Sequence, residues 1–173
     1  MFLNSIYNYD SVMMAEKIVF EKLNDENFDD FFNLIKKLAE YEKQEPLDEQ
    51  IKIRLKKDSL TKKPRFEAYL TKLNSGYIGY FIFFMTYSSY LALPTLYIED
   101  IFVLKEHRRK GVGQKMFQFC VQQAKEKGCG RMEWCVYNWN KPAINFYKKN
   151  NATLLNKKYY RLTKEQIENF PNP

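Results

Sequence analysis

The chain has few of the residues that build metal centres and disulfide frameworks. It contains 1 histidine and 3 cysteines in 173 residues, and Cys120, Cys129 and Cys135 lack the paired spacing of metal ligands. An odd number of cysteines without that spacing is typical of a reduced protein. We therefore expect a cytoplasmic protein without a metal site, in which Cys120 and Cys135 are small buried hydrophobes.

Long apolar runs are also absent. The longest, YIGYFIFFM at 77–85, has the length of a buried strand and is too short to span a membrane. The first residues have neither the cations nor the apolar block of a secretory signal, and Met14 opens a segment that would itself make a sensible start. We expect an extension at 1–13, with disorder as one option, and a single domain at 14–173 that does not bind membranes.

Positive charge and apolar side chains are abundant. The chain has 28 lysines and arginines against 21 acidic residues, a net charge of +7, 45% hydrophobic and 17% aromatic residues. This hydrophobic content excludes a disordered chain, and the charge favours anionic partners. A nucleic acid would be one such partner. No helix-turn-helix spacing or basic–aromatic motif accompanies the lysines, however, so we expect no nucleic-acid binding.

The hydrophobic pattern alternates between the periods of strands and helices. Asn24 or Asp25 is available to cap the first helix, and Asn140 with Pro142 begins the last. The strand–loop–helix–strand unit at 95–139 predicts a parallel pair within a mixed sheet, and therefore an α/β (α+β) fold. The predicted strands are 17–23, 66–73, 77–87, 95–104, 131–139 and 154–163, and the predicted helices are 24–44, 47–57, 140–150 and one from the 106–117 loop to about 127.

The loop EHRRKGVGQKMF at 106–117 joins a predicted strand to a predicted helix. A helix start leaves backbone N–H groups without partners, and glycines at 111 and 113 let a ligand approach them. Arg108, Arg109 and Lys110 add positive charge, so the loop suits a pyrophosphate. It is not a P-loop, and Met116 stands where a dinucleotide motif needs its third glycine. From the loop alone, an ordinary basic helix start fits equally well.

The strand TLYIEDIFVL at 95–104 has two adjacent carboxylates, Glu99 and Asp100, at its apolar centre. A charge in such a setting is unfavourable unless it is paired or used, and an ion pair or a backbone cap is the alternative to function. Strict alternation predicts one face formed by Leu96, Ile98, Asp100 and Phe102 and another formed by Tyr97, Glu99, Ile101 and Val103.

Four segments together resemble a known family. Arg108, Gly111 and Gly113 occupy the fixed positions of the [Q/R]-x-x-G-x-[G/A] signature of the GCN5-related N-acetyltransferases. LIKKLAEYEK at 34–43, YIEDIFV at 97–103 and WNKPAINFYKKNNA at 139–152 are similar to the diamine acetyltransferase branch, which includes spermidine/spermine and thialysine acetyltransferases. The resemblance implies a single N-acetyltransferase domain with helices on both faces of a mixed sheet, whose parallel strands splay at an acetyl-CoA site.

Acetyl transfer from a thioester to an amine needs a deprotonated amine, a stabilised oxyanion and a proton for the thiolate. The resemblance implies that Glu99 accepts the amine's proton and that Tyr147 protonates the sulfur of CoA, since a tyrosine pKa near 10 keeps it protonated. Core packing is the alternative for Tyr147, and an ordinary N-cap is the alternative for Asn140. The implied acetyl-CoA contacts are Ile101, Phe102, Val103, Arg108, Arg109, Lys110, Gly111, Val112, Gly113, Gln114 and Asn140, and the implied amine contacts are Tyr41, Glu42, Glu99, Asp100, Glu133 and Trp134.

The resemblance implies a homodimeric, acetyl-CoA-dependent N-acetyltransferase that acts by direct transfer in a ternary complex. Its substrate would be the primary amine of a small molecule, either a polyamine such as spermidine or spermine or a thialysine-like amino acid. Lys157 and Lys158 stand where diamine acetyltransferases tend to have acidic residues, which weakens the polyamine alternative. A protein lysine or N-terminal acetyltransferase and a non-catalytic CoA-binding module remain as alternatives.

Overall fold

A computed structural model describes residues 17–171, so the predicted extension at 1–13 lies outside the described residues. The chain divides into two compact units, one ending at Cys135 and one beginning at Val136. The strands are β1 Ile18–Lys22, β2 Glu67–Leu73, β3 Gly76–Ser88, β4 Leu93–Val103 and β5 Arg131–Trp134. The helices are α1 Phe28–Glu42, α2 Glu49–Ser59, α3 Val112–Glu126, α4 Lys141–Lys149 and α5 Lys164–Glu168, with a 3-10 turn at Lys105–His107.

The first unit is built on one five-stranded sheet in the order β1-β2-β3-β4-β5. Strands β1 to β4 pair antiparallel, and β5 pairs parallel to β4. The parallel pair is connected through α3, as the crossover rule requires. The mixed sheet predicted from the sequence is therefore confirmed.

Helix α1 covers one face of this sheet, because its apolar positions recur with helical spacing. Phe31 of α1 is fully buried, and its ring meets Tyr80 of β3 edge to face with centroids 5.3 Å apart. Leu70 of β2 and Phe102 of β4 belong to the same cluster. Each such side chain contributes roughly 1.5–3 kcal/mol on burial. This layer holds α1 against β2, β3 and β4.

Helix α3 covers the opposite face through aromatic contacts. The Phe119 ring lies 5.3 Å from Phe20, 4.8 Å from Tyr69 and 5.3 Å from Phe81, measured between centroids. Phe81 and Tyr80 are neighbours on β3 and point to opposite faces, as the pleat dictates. Helices on both faces of the sheet, as predicted, are confirmed.

Several local predictions from the sequence are wrong. Residues 154–163 form no strand and are exposed, and the strand predicted at 131–139 ends at Trp134. Helix α1 begins after Asn27, and the Asn24 side chain instead accepts hydrogen bonds from the N–H groups of Glu26 and Asn27. Cys120 is buried as expected, but Cys135 is exposed.

Within residues 17–171, no helix combines the length and the apolar composition that crossing a membrane would require.

Candidate active site

The sheet opens along β4. Strand β5 pairs with β4 only from Thr95 to Ile98, whereas β4 continues to Val103 with β3 as its partner. The backbone groups of β4 that point away from β3 beyond Ile98 therefore face a gap in the sheet. Ile101, Phe102 and Val103, the backbone contacts that the resemblance implied, lie along this gap.

A β-bulge at Glu99 begins the gap. Ile98 lies opposite Phe83 and Asp100 lies opposite Ile82, so Glu99 is an extra residue in β4. Residues directly opposite in an antiparallel pair share a face, and Ile82 belongs to the cluster under α1. Asp100 and Phe102 therefore face α1, and Ile98 faces α3 with Phe83. The alternation predicted from the sequence, with Leu96, Ile98, Asp100 and Phe102 on one face, is wrong because the bulge reverses it.

Asp100 is a partly buried carboxylate with a fixed orientation. The Tyr80 hydroxyl donates a hydrogen bond to Asp100 Oδ2 at 3.1 Å, and Tyr80 itself is fully buried. Burial, followed by the charges of Glu99 and Glu42, raises the pKa of Asp100 to about 7, while the Tyr80 hydrogen bond lowers it. The carboxyl thus exchanges protons near neutral pH, as a base for an ammonium group must.

The C-terminal end of α1 supplies a third carboxylate. Glu42 is partly buried there, and burial raises its pKa. Its charge raises the pKa of both Asp100 and Tyr80, as does that of Glu99. Glu42 and Glu99 therefore lie near enough to Asp100 to act on it electrostatically, and we call the three the acidic cluster; their negative potential would stabilise an ammonium group.

Arg108 connects the loop to this end of α1. Its Nε donates to the Val103 carbonyl at 2.7 Å, and its guanidinium carbon lies 4.5 Å from the Tyr41 ring centroid and 5.6 Å from that of Phe102. Stacking on two aromatic rings holds a guanidinium in one plane. The loop and the α1 end that carries Tyr41 and Glu42 are therefore held together by one side chain.

The loop ends in an open helix start. Gly111 is the N-cap of α3 with φ of 80°, a conformation that favours glycine, and its carbonyl accepts the first helical hydrogen bond from Lys115. A Cβ added at Gly111 or Gly113 would meet no heavy atom within 4 Å. The space above the first turn is thus unoccupied by protein, and Arg109 and Lys110 beside it are exposed. Val112 is buried and Gln114 is partly buried, which anchors the turn.

Two of the expected amine contacts lie on β5 and are held in other interactions. Glu133 forms a salt bridge with Arg131, in which Oε1 and Nε are 3.4 Å apart. The Trp134 ring packs edge to face against Phe117 of α3, with centroids 5.4 Å apart. Trp134 is therefore on the α3 side of the sheet, whereas Asp100 faces α1, and the structure does not bring Trp134 into the acidic cluster.

In the second unit, Asn140 and Tyr147 lie on α4. Asn140 is the N-cap of this helix, and its Oδ1 accepts a hydrogen bond from the Ala143 N–H at 3.3 Å. The partly buried Tyr147 contacts the Phe146 ring at 5.3 Å between centroids. The predicted cap and the first-turn Pro142 are confirmed. The roles of Asn140 toward CoA and of Tyr147 toward the thiolate stay predictions.

Tyr80 was missed by the sequence reasoning. It lies in an apolar segment in which a tyrosine is no signal by itself, and its partner is 20 positions further along the chain. A signal was available in the two-residue spacing between Tyr80 and Ile82, which places both side chains on the face of β3 that α1 covers. A tyrosine hydroxyl on that buried face needs a hydrogen-bond partner. Among residues 17–171 there is also no group of three or more side chains suited to holding a metal ion.

The site fits acetyl-CoA by its shape and its donors. The first turn of α3 has glycines and open space where a diphosphate would need backbone N–H groups, and cations stand next to it. The gap along β4 presents backbone groups to an extended amide-containing chain, which would bind as an added strand does.

Comparison with known proteins agrees with this geometry. The family model described as acetyltransferase (GNAT) family matches residues 21–152. An L-ornithine N5-acetyltransferase of Arabidopsis thaliana is 40% identical over 99 residues, which cover 56% of this chain and 43% of that protein. A thialysine N-epsilon-acetyltransferase of Mus musculus is 32% identical over 130 residues, covering 69% of this chain and 74% of that protein. The chain thus spans less than half of the Arabidopsis relative and about three quarters of the mouse one.

Among solved structures, an aminoglycoside N-acetyltransferase in complex with CoA has the same fold, with a TM-score of 0.73 at 15% identity over 88% of this chain and 99% of that one. The sheet that opens at β4 and the bare helix start are thus the architecture of an N-acetyltransferase fold. The chain belongs to the acetyltransferase (GNAT) family, whose members acetylate nitrogen with acetyl-CoA. The predicted resemblance to the branch with thialysine acetyltransferases is confirmed.

Proposed function

We propose that the protein transfers the acetyl group of acetyl-CoA to the side-chain amine of a small basic amino acid, such as thialysine or ornithine. One observation carries the proposal. A partly buried carboxylate, Asp100, lies at the point where β4 separates from β5 and leaves a strand edge for the cosubstrate. An ammonium group beside that carboxylate would be within reach of a thioester laid along the edge.

The acidic cluster supports an ammonium substrate. The charges of Glu99 and Glu42 disfavour ionisation of Asp100, and a bound cation relieves that repulsion. An amino acid also has a carboxylate, and the resemblance favours it over a polyamine, because Lys157 and Lys158 stand where diamine acetyltransferases tend to have acidic residues. The relatives named for L-ornithine and thialysine support the same substrate class. Spermidine and spermine are the second candidates, because three carboxylates also suit a polyammonium chain.

In the proposed reaction, the chain's own groups accept and donate the protons. The carboxylates at Glu99 and Asp100 accept one proton from the ammonium, which frees the nitrogen lone pair for the thioester carbon. A backbone N–H of 101–103 stabilises the developing oxyanion, and Tyr147 donates its proton to the sulfur as the C–S bond breaks. The second proton of the nitrogen restores Tyr147 through water, and the first leaves to solvent.

We propose direct transfer in a ternary complex, without an acetylated enzyme. The thiolate form of a cysteine is the nucleophile, and burial raises the pKa of the Cys120 thiol to about 12. Burial also raises the pKa of Cys129. Both shifts disfavour the thiolate and therefore disfavour these two cysteines as acetyl acceptors.

We also propose a cytoplasmic homodimer. The segment 154–170 of the second unit has seven large apolar side chains that are more than half exposed, with Tyr160 at 84% and Leu154 at 79%. An exposed apolar surface of this kind favours association. A second copy of the chain is the partner that the resemblance to dimeric acetyltransferases supports.

The function is tested by thiol release from acetyl-CoA with a panel of amines. The panel is thialysine, L-ornithine, lysine, putrescine, spermidine, spermine and a histone-tail peptide. We expect kcat/KM for thialysine or ornithine to exceed that for spermidine by about tenfold, and intact mass without amine to show no acetylated protein. Preference for the peptide would support a protein acetyltransferase, and binding of acetyl-CoA without thiol release would support a non-catalytic module.

The cosubstrate site is tested separately with Gly113→Leu, because the family signature accepts alanine at this position but no larger residue. The leucine side chain would enter the open space above the helix start, so we expect acetyl-CoA affinity, measured by calorimetry, to fall about tenfold. Thermal stability should not fall, since leucine has a higher helix propensity than glycine. Gly76→Leu is the matched control, because a Cβ there also meets nothing within 4 Å but lies at the start of β3. Equal affinity in both variants would contradict the site.

A further inference from the structure

The hydroxyl of Tyr80 is polar and lies in an otherwise apolar layer. Its side chain is fully buried between Phe31 of α1, with ring centroids 5.3 Å apart, and Phe102 of β4, at 6.0 Å. Phenylalanine would fill the same space without a buried hydroxyl that needs a partner. The hydroxyl meets that need by donating to Asp100 Oδ2 at 3.1 Å.

A tyrosine hydroxyl has a single hydrogen to donate, and this one is committed to Asp100. The bulge at Glu99 turns Asp100 toward α1, where Tyr80 lies, and the rigid ring then fixes Oδ2. A carboxylate has a second oxygen with its own lone pairs. Oδ1 of Asp100 is therefore presented in a defined direction while Oδ2 is held.

The surroundings of Asp100 carry charge mostly of its own sign. Glu99 on β4 and Glu42 on α1 act on it electrostatically, and Tyr80 does so from β3. One cation on this face is Arg108, whose guanidinium lies over Phe102, two positions beyond Asp100 on β4. Another is Arg131 of β5, which forms a salt bridge with Glu133. Burial and the two carboxylates raise the pKa of Asp100 to about 7, and the Tyr80 hydrogen bond opposes them. Tyr80 thus keeps part of the carboxyl ionised at neutral pH.

We infer that Tyr80 is a positioning residue for amine acetylation, which holds Asp100 so that its Oδ1 is a fixed acceptor for the ammonium group and its proton. This inference rests on the proposed function. The proton moves from the ammonium nitrogen to Oδ1 and then to solvent, and the freed lone pair forms the bond to the acetyl carbon as the C–S bond breaks. The exposed Glu99 passes that proton outward.

The test replaces the hydroxyl alone, with Tyr80→Phe. We expect kcat/KM for the amine at pH 7 to fall about tenfold. The acidic limb of the pH profile of kcat/KM should move to higher pH, because the hydrogen bond that lowered the pKa of Asp100 is gone. The affinity for acetyl-CoA should not change. In an Asp100→Asn background the same replacement should have no further effect, since Tyr80 acts through Asp100.

Tyr77→Phe is the matched control. Tyr77 is on the same strand, three residues away, and its hydroxyl also donates to a carboxylate on another strand, Glu21 of β1. A loss of fold stability from removing a paired hydroxyl should be similar in both variants. A change in the pH profile should occur in Tyr80→Phe alone.

A second measurement needs no activity. Titration of the Asp100 carboxyl carbon by NMR should give a higher pKa in Tyr80→Phe than in the wild type, and no change in Tyr77→Phe. An unmoved carboxyl titration, or an acidic limb that stays in place in an active enzyme, would overturn the inference while leaving the proposed function intact. If the wild type acetylated no amine, both the proposed function and this inference would be wrong. The carboxyl titration would still show whether Tyr80 lowers the pKa of Asp100.

Discussion

The carboxylate of Asp100 lies where its charge is unfavourable. It is partly buried, with Glu99 and Glu42 nearby, and its pKa of about 7 lies well above the usual value near 3.9. At a pH between these two pKa values, Asp100 therefore keeps its proton in the folded protein, whereas the same carboxyl has lost it in the unfolded chain. It follows that the free energy of unfolding falls as pH rises from about 4 to about 7. At the residue scale, the carboxylate that we propose as a base therefore lowers the stability of the protein near neutral pH.

Asp100→Asn should separate stability from activity. An amide cannot ionise and can still accept the Tyr80 hydrogen bond, so we expect the variant to be more stable than the wild type by roughly 1–3 kcal/mol near pH 8. The difference should shrink toward pH 4, where the wild-type carboxyl is protonated too. Urea unfolding across this pH range measures it, and amine acetylation should be strongly reduced.

Asp30→Asn is the control, because Asp30 is an exposed carboxylate on α1. It should give no stabilisation that grows with pH. A stability difference for Asp100→Asn that is the same at every pH would show that burial of its charge is not the cause.

At the scale of elements, β4 combines two pairings and one interruption. It is antiparallel to β3 along its length, parallel to β5 as far as Ile98, and bulged at Glu99 where that parallel pairing ends. A bulge bends its strand and increases the local twist. The extra residue therefore accounts for the turn of Asp100 toward α1, and it lies where the pairing with β5 ends.

Deleting Glu99 tests the bulge. Ile98 would keep Phe83 and Asp100 would keep Ile82 as partners, so the ladder becomes continuous and the protein should remain folded. We expect acetyl-CoA affinity to fall about tenfold, since a straightened β4 would present its edge in another direction and backbone hydrogen bonds to the cosubstrate, worth about 1 kcal/mol each, would be lost. Calorimetry measures it.

Glu99→Ala is the matched variant that removes the carboxylate and keeps the bulge. It should bind acetyl-CoA like the wild type while amine acetylation falls. If the deletion and the substitution bound the cosubstrate equally well, the bulge would not be what opens the strand edge.

At the scale of the whole molecule, charge and apolar surface are unevenly distributed. The net charge is +7, yet the candidate site combines an acidic cluster with a basic loop. The exposed Arg109 and Lys110 suit the phosphates of CoA, and carboxylates at 42, 99 and 100 suit an amine. The large apolar side chains of 154–170 are exposed, although a strand was predicted over much of this segment.

These exposed side chains lead to a prediction about assembly. We expect sedimentation velocity to show a dimer that dissociates on dilution, and Tyr160→Ser to shift it toward the monomer, because Tyr160 is 84% exposed in the single chain. Tyr90→Ser is the control, since Tyr90 is 93% exposed but lies between β3 and β4. A monomer at every concentration would contradict the proposed homodimer.

The amino-acid sequence by itself determined the order of the elements up to residue 150, the bare helix start at Gly111 and Gly113, and the family, because these depend on local periodicity and contiguous motifs. Only the tertiary structure decided which way Asp100 faces, that Tyr80 holds it, and that Arg108 stacks on Tyr41. A one-residue bulge reverses the faces of a strand without changing its composition, and pairs across strands or between a loop and a helix leave no periodic trace in the sequence.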